Sequence, residues 1–183
     1  MEESSLKEKT AKGLFWGGFS NGMQQLLNLF FGIFLARLLS PSDYGLVGML
    51  TIFTLIAGSL QESGFISAIT NRRDVTSNDY NAVFWFSILV SVSVYVLLFF
   101  CAPLIARFYD EPRLIPLSRF IFLCFVLSST ATAHSAYLFR NLMVKKRTIA
   151  QLSALAVSGT VGVTAAYNGL AYWGIALQSV TYV

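Results

Sequence analysis

The sequence predicts an all-α polytopic membrane protein with five complete transmembrane helices and the start of a sixth. Three observations carry this expectation. The 183 residues are 55% hydrophobic and 12% charged, with a mean hydropathy of +0.63, whereas an average soluble domain is about 25% charged. Apolar runs occur at about 13–39, 44–69, 80–108, 116–143 and 148–167, with a shorter one at 170–183; at 1.5 Å per helical residue, about 20 residues cross the hydrocarbon of a bilayer. The charges gather in short segments between these runs. The net charge of +4 is thereby explained by orientation in a membrane, and nucleic acid is excluded as a partner.

Residues 1–12 read as a polar arm at the membrane surface, mixing Glu2, Glu3 and Glu8 with Lys7, Lys9 and Lys12. The run that follows is too long and too amide-rich for the core of a signal peptide and has no small-residue cleavage site after it, so it is expected to stay as a signal anchor. From Gly13 to Leu39 no acid or base stands between Lys12 and Arg37. The helix is nevertheless two-faced. Gly17, Asn21, Gln24, Gln25, Asn28 and Gly32 recur at three- and four-residue steps and share one sector, while Phe15, Phe19, Met23, Phe30 and Phe34 take the other side. Amides are costly against lipid, so this sector is expected to face a bundle interior or a watered cavity. Gly13-xxx-Gly17 and Gly18-xxx-Gly22 would let another helix approach closely.

Pro41 in Ser40-Pro41-Ser42-Asp43 ends the first helix, and Ser42 or Asp43 is expected to cap the second, which runs to about Ile69. Glu62, the one acid well inside an apolar run, either snorkels to the interface or meets a partner, and is a candidate for ion coupling. Asn71-Arg72-Arg73-Asp74 forms a polar loop, and Ser77-Asn78-Asp79 supplies caps for the third helix, which has Pro103 near its end. After the mixed-charge loop Tyr109–Arg113, the fourth helix carries a polar patch of Ser128, Ser129, Thr130, Thr132, His134 and Ser135, again expected on an interior face. His134, the single histidine, either hydrogen-bonds within the bundle or serves as a proton relay. Lys145-Lys146-Arg147 precedes a fifth helix dominated by Ala, Ser, Gly, Thr and Val, a composition that packs tightly against neighbours. Asn168-Gly169 is a tight turn, and the 14 residues after it fall short of a span. The chain is therefore expected to be cut within a sixth helix of something longer.

The basic residues set an orientation. With the N-terminus cytoplasmic, the inside segments hold Lys7, Lys9, Lys12, Arg72, Arg73, Arg140, Lys145, Lys146 and Arg147, and the outside segments hold Arg37, Arg107, Arg113 and Arg119, nine of the thirteen against four. Cys101 and Cys124 lie in apolar runs without CxxC spacing or a nearby histidine, so they read as buried free thiols and no metal or cofactor site is expected. No paired carboxylates, nucleophile–base arrangement or phosphate loop stands out, which argues against an enzyme.

Several segments together resemble a known family. They are Lys12–Gly17, Gln24-Gln25, Phe34-Leu35-Ala36-Arg37-Leu38-Leu39-Ser40-Pro41-Ser42-Asp43-Tyr44-Gly45, Glu62-Ser63-Gly64-Phe65, Asp79–Trp85, Ala102–Ala106 with Phe108-Tyr109, and Leu138-Phe139-Arg140. The pattern resembles the bacterial polysaccharide-transport, or Wzx-type, flippases of the multidrug/oligosaccharidyl-lipid/polysaccharide exporter superfamily, and the segment FLARLLSPSDYG is its most specific part. The resemblance implies transfer of undecaprenyl-diphosphate-linked oligosaccharides across the inner membrane by alternating access. It also implies twelve to fourteen helices in two lobes, of which this chain supplies most of one, and residence among membrane lipids with a polysaccharide polymerase and other assembly proteins as partners.

Such a substrate needs cations for its diphosphate and amides or hydroxyls for its sugars. The candidates are Asn21, Gln24, Gln25 and Asn28 for the sugar and Arg37, Arg119 and Arg140 for the diphosphate. The competing readings are interhelical packing for the amides and orientation or headgroup contact for the arginines. Two other functions stay open at this point. A drug or cation exporter of the same superfamily would use an acid in the first helices, where only Glu62 is present. A non-transporting scaffold for assembly enzymes would use the polar helix face to hold partners.

Overall fold

A computed structural model of the chain describes the backbone of residues 2–62, 77–140 and 144–183, and the side chains of residues 15–59, 81–131 and 144–183. Its described elements are all helical. They are α1 (Glu2–Leu38), α2 (Pro41–Glu62), α3 (Ser77–Phe108), α4 (Leu114–Arg140), α5 (Val144–Ala165), a π-helical turn (Ala166–Leu170) and α6 (Trp173–Tyr182). The backbone of residues 2–12 forms the first turns of α1.

Four described stretches are long and apolar enough to cross a bilayer, namely Pro41–Ser59, Asn81–Phe108, Leu114–Ala131 and Val144–Leu170. The chain is a multi-pass helical membrane protein. The sequence reading counts five spans and the start of a sixth. At 37 residues α1 has the length, but Asn21, Gln24, Gln25, Asn28 and Arg37 lower its mean hydropathy. α6 has 10 residues.

The turn between α1 and α2 is built by its own side chains. Ser40 Oγ accepts from the Asp43 N–H at 3.3 Å, and the Asp43 carboxylate accepts from the Ser40 N–H at 3.0 Å and the Ser40 hydroxyl at 2.6 Å. This is a reciprocal capping box with Pro41 at the first helical position, where its missing N–H costs nothing. The cap is thus Ser40, not Ser42 or Asp43. Asp43 is the returning partner.

α1 and α5 run parallel. Lys145 Nζ lies 5.5 Å from the Trp16 ring centroid at one end. Midway, the Phe31 ring lies directly over Gly159, where a Cβ would collide with it. At the far end Leu35 and Leu39 bury against Ala166. α5 meets α6 through a second set of small residues. A Cβ on Gly162 would lie 2.8 Å from Gln178 Cβ, and one on Gly174 would lie 2.8 Å from the Gly162 carbonyl. Between them the chain reverses at Gly169, whose φ of 83° suits a residue without a Cβ. The main core lies among α2, α3, α4 and α6, where Leu50, Leu98, Leu117, Phe122 and Ala176 share one buried cluster. α1 stands outside it.

α3 and α4 form a hairpin. Its turn places Asp110 at φ 53° and closes with Glu111 N–H donating to the Ala106 carbonyl at 2.9 Å. Arg113 grips Glu111 with two bonds, Nε to Oε1 at 2.8 Å and the second guanidinium nitrogen to Oε2 at 3.2 Å. That hydrogen bond holds the Glu111 carboxyl below its ordinary range. Tyr109 of the α3–α4 turn and Tyr172 of the α5–α6 turn pack against the same core, which places these two turns at one end of the bundle.

Two outcomes follow from this packing. Gly159→Leu forces the Phe31 ring aside and is expected to destabilise the protein by about 1–3 kcal/mol. Phe31→Ala in the same chain should restore part of that loss, read by thermal unfolding in detergent. The Glu111–Arg113 pair has a lowered folded-state carboxyl pKa, so its stabilisation is present above the unfolded carboxylate pKa and is lost as pH falls through the folded one. The difference in melting temperature between the native chain and Arg113→Gln should therefore be measurable at neutral pH and vanish at a pH below the carboxylate range.

Candidate functional site

α1 is anchored by one stripe, Ser20, Phe31, Leu35 and Leu39, all buried. The amides lie in and beside that stripe. By the 100° step of an α-helix, Gln24, Asn28, Asn21 and Gln25 fall within about 100° of one another. Gln24, nearest the centre of the stripe, is half-buried and donates from Nε2 to Ser20 Oγ at 2.9 Å. Asn21, Gln25 and Asn28 are exposed. They make an uncharged polar flank along α1, next to the α5 seam, and the described helices leave it open. On the opposite face Phe15, Phe19, Phe30 and Phe34 are exposed, while Met23 is half-buried.

α2 diverges from α1 after the Ser40 cap. The Tyr44 hydroxyl donates to the Gly32 carbonyl at 3.5 Å near the turn, and α2 then packs on α3 and α4. Between α2, α4 and α6 lies a pocket of about 340 Å³, lined among others by Thr51, Thr54, Cys124, Phe125, Ser179 and Tyr182. None of the candidate residues whose side chains are described lines it. Its walls come from three separated segments, and each contributes residues that look like ordinary helix surface. Only their meeting makes the pocket, so no local signal marks it.

The arginines separate. Arg37 is exposed in the last turn of α1. Arg119 lies on α4 in a different sector from the pocket-lining Ile121, Cys124 and Phe125, roughly opposite by the 100° helical step. Its guanidinium carbon sits 4.0 Å from the Phe99 ring centroid of α3, and its Nε is buried with no hydrogen-bond partner. Pro103, one turn beyond Phe99 in α3, has no N–H to offer the Phe99 carbonyl. A cation and a backbone acceptor freed of its helical donor therefore share this stretch of the α3–α4 seam. Arg140 and His134 belong to the backbone of α4 and Glu62 ends α2, but their side chains lie outside the described residues.

The polar patch of α4 is internally satisfied where it is described. Ser128 donates to the Phe125 carbonyl at 3.1 Å, Ser129 to Val126 at 2.7 Å and Thr130 to Leu127 at 2.7 Å. Hydroxyls bonded back to their own helix tolerate apolar surroundings, so these three do not require a watered cavity. Cys101 and Cys124 are half-buried free thiols.

The class is that of a multi-pass helical membrane protein, with an uncharged polar flank on α1, a half-open pocket between α2, α4 and α6, and a half-buried guanidinium at the α3–α4 seam. The comparison with known proteins is more specific. The chain belongs to the polysaccharide biosynthesis protein family, which matches residues 34–183. It is similar to the lipopolysaccharide biosynthesis protein WzxC of Escherichia coli (strain K12), 24% identical over 176 residues, covering 96% of this chain and 35% of that protein. It is also similar to the teichuronic acid biosynthesis protein TuaB of Bacillus subtilis (strain 168), 26% identical over 138 residues, covering 75% of this chain and 29% of that protein. A third relative is an uncharacterized membrane protein in the cps region of Klebsiella pneumoniae, 23% identical over 177 residues and covering 94% of this chain and 36% of that protein. The chain thus spans about a third of the length of the curated relatives it matches. No solved structure matches it.

Arg119 is half-buried with one buried nitrogen lacking an acceptor, a stability cost that its contact with the Phe99 ring only partly offsets. Replacing it by an apolar side chain of similar length, Arg119→Met, is expected to stabilise the protein by about 1–3 kcal/mol in detergent without substrate, read as a rise in unfolding temperature. A fall would mean that Arg119 has a structural partner in the folded protein.

Proposed function

We propose that this chain forms part of a flippase that moves undecaprenyl-diphosphate-linked oligosaccharides across the bacterial inner membrane by alternating access. The observation that carries the reading is the uncharged amide flank of α1 in a membrane protein of a polysaccharide biosynthesis family. Amides both donate and accept, as a sugar's hydroxyls require, and they carry no charge that a neutral sugar would have to displace. On this reading Asn21, Gln25 and Asn28 contact the sugar, and Gln24, bonded to Ser20, holds the packed edge of that surface. The diphosphate is met by guanidinium groups. Arg37 and Arg140 serve the α1 side, and Arg119 supplies a separate cation at the α3–α4 seam.

The N-terminus is cytoplasmic in this proposal. Nine basic residues then lie inside and four outside, and the parallel run of α1 and α5 agrees with an alternating path in which both cross in the same direction. α1 counts as a span here, its amides turned to the translocation path. A cation exporter is disfavoured because the stretch of α1 between Lys12 and Arg37 has no acid. The complete protein is expected to work beside a polysaccharide polymerase and other assembly proteins, with no cofactor.

The test is translocation of a fluorescent undecaprenyl-diphosphate oligosaccharide by the full-length protein in vesicles. Asn21→Leu, Gln25→Leu and Asn28→Leu each remove a hydrogen-bonding group worth about 1 kcal/mol, and together they should slow transport at least about tenfold. Unfolding temperature should stay unchanged, because the three side chains are exposed. Failure of the full-length protein to move any lipid-linked sugar would overturn the proposal. Unchanged transport by the triple variant would remove the amide flank from it.

A further inference from the structure

We infer that the pocket between α2, α4 and α6 takes the polyprenyl chain of the lipid-linked substrate and not its sugar. This rests on the flippase reading above and adds a division of labour to it, with the head group on the α1 flank and the tail in a separate apolar pocket.

The chemistry of the walls carries the inference. Three of the pocket's hydroxyls have already placed their single proton on their own helix. Thr51 donates to the Val47 carbonyl at 3.3 Å, Thr54 to the Thr51 carbonyl at 2.8 Å and Ser179 to the Ile175 carbonyl at 2.9 Å. Among the described lining residues there is no charged side chain and no amide; the Tyr182 hydroxyl is the one further side-chain hydroxyl, and Val47, Leu50, Ile121 and Phe125 are apolar. A sugar brought here would lay several hydroxyls against walls with few donors to answer them, and each unsatisfied polar group is costly in a membrane interior. A hydrocarbon chain asks for none.

Depth points the same way. Cys124 lies ten residues beyond the start of α4 and Thr51 ten residues beyond the start of α2, about 15 Å along each helix. That is near the middle of a hydrocarbon layer about 30 Å thick. Lipid tails reach this level, and polar head groups reach it only along a polar path. The pocket is open on one side, with Thr51 and Tyr182 exposed at its rim, so a chain segment can lie along it without being enclosed.

Cys124 makes the pocket measurable from within. The experiment uses the full-length protein in phosphatidylcholine vesicles, with Cys101→Ser and Cys124 as the sole remaining cysteine, and follows the rate of modification by an apolar maleimide. Undecaprenyl phosphate is expected to slow labelling at least fivefold. The free oligosaccharide without lipid, and added phosphatidylglycerol, are expected to leave the rate unchanged. Protection by the free sugar would overturn the inference. Equal protection by phosphatidylglycerol would show an ordinary lipid tail in the pocket and would overturn it too. So would labelling that no ligand changes, or a thiol unreactive under every condition, the sign of a pocket filled by protein. A second variant, Thr54→Phe, fills the pocket and should weaken retention of radiolabelled undecaprenyl phosphate at least fivefold; unchanged retention counts against the assignment. The two readings fail separately. Transport without Cys124 protection sinks the pocket and leaves the flippase, whereas Cys124 protection without transport does the reverse.

Discussion

The close approach of helices to α5 is the constraint on which the arrangement depends. In a bilayer the helices gain little from leaving hydrocarbon, so association rests on contact distance and fit. α5 supplies that fit on two sides. Gly159 receives the Phe31 ring of α1, and Gly162 lets the backbone of α6 come against its own at Gly174. α1 has no place in the core shared by α2, α3, α4 and α6. Among the described residues its hold on the rest is the α5 seam, the Leu35–Leu39–Ala166 contact, the Ser40–Asp43 cap and the Tyr44 hydroxyl on the Gly32 carbonyl. A side chain at Gly159 would therefore act on the position of the whole first helix, not only on local packing.

The second organising fact is how the protein disposes of its hydroxyls. Along α2, α4 and α5, serine and threonine side chains bond back to carbonyls three or four residues earlier, as with Thr54, Ser129, Ser158 and Thr164. A hydroxyl so engaged is a small, nearly apolar side chain to its neighbours. This changes which residues can be read as functional. A cluster of serines on α4 looks polar in a string of letters yet presents little unmet demand. The amides of α1 do present it. An amide has two donors and an acceptor, and the turn of helix behind Asn21, Gln25 or Asn28 has no free group to absorb them all. The same reasoning applies more strongly to the guanidinium of Arg119, whose Nε is buried without an acceptor.

Much of the architecture was legible in the letters because its causes are local. Apolar run length gave the helices, Pro41 gave the break, Asn168-Gly169 gave the reversal at Gly169, and the small residues of α5 announced close packing. The cap was misplaced by two or three residues because Ser40, Ser42 and Asp43 all have capping side chains, and only the reciprocal Ser40–Asp43 geometry chooses among them. α1 is not among the four described stretches apolar enough to span, and the reason is physical as well. The amides that make α1 interesting are the residues that lower its apolarity. The site was less legible. The common sector of the amides follows from helical periodicity, but whether that sector is covered depends on which face α1 uses to meet α5, a tertiary fact. The pocket had no local signature at all, and the separation of Arg119 from it depends on the rotation of α4 in the bundle.

The exposure of the amide flank follows from how α1 is anchored. The buried stripe of Ser20, Phe31, Leu35 and Leu39 fixes the rotation of the helix, and the amides at neighbouring angles are then held in a set direction by the same contacts. Turning the amides inward would lift Phe31 from Gly159 and expose Leu35, losing the shape match that holds the helix in place. Turning them outward to lipid would trade that match for the cost of unsatisfied amides in hydrocarbon. With α2 leaving α1 after Tyr44, the described bundle offers nothing that closes over the flank. A helix anchored on one stripe and polar beside it can thus keep its packing while whatever meets its polar side changes. Alternating access would need that property from such a surface, and it is set here by the phase between a glycine-seated phenylalanine and four amides.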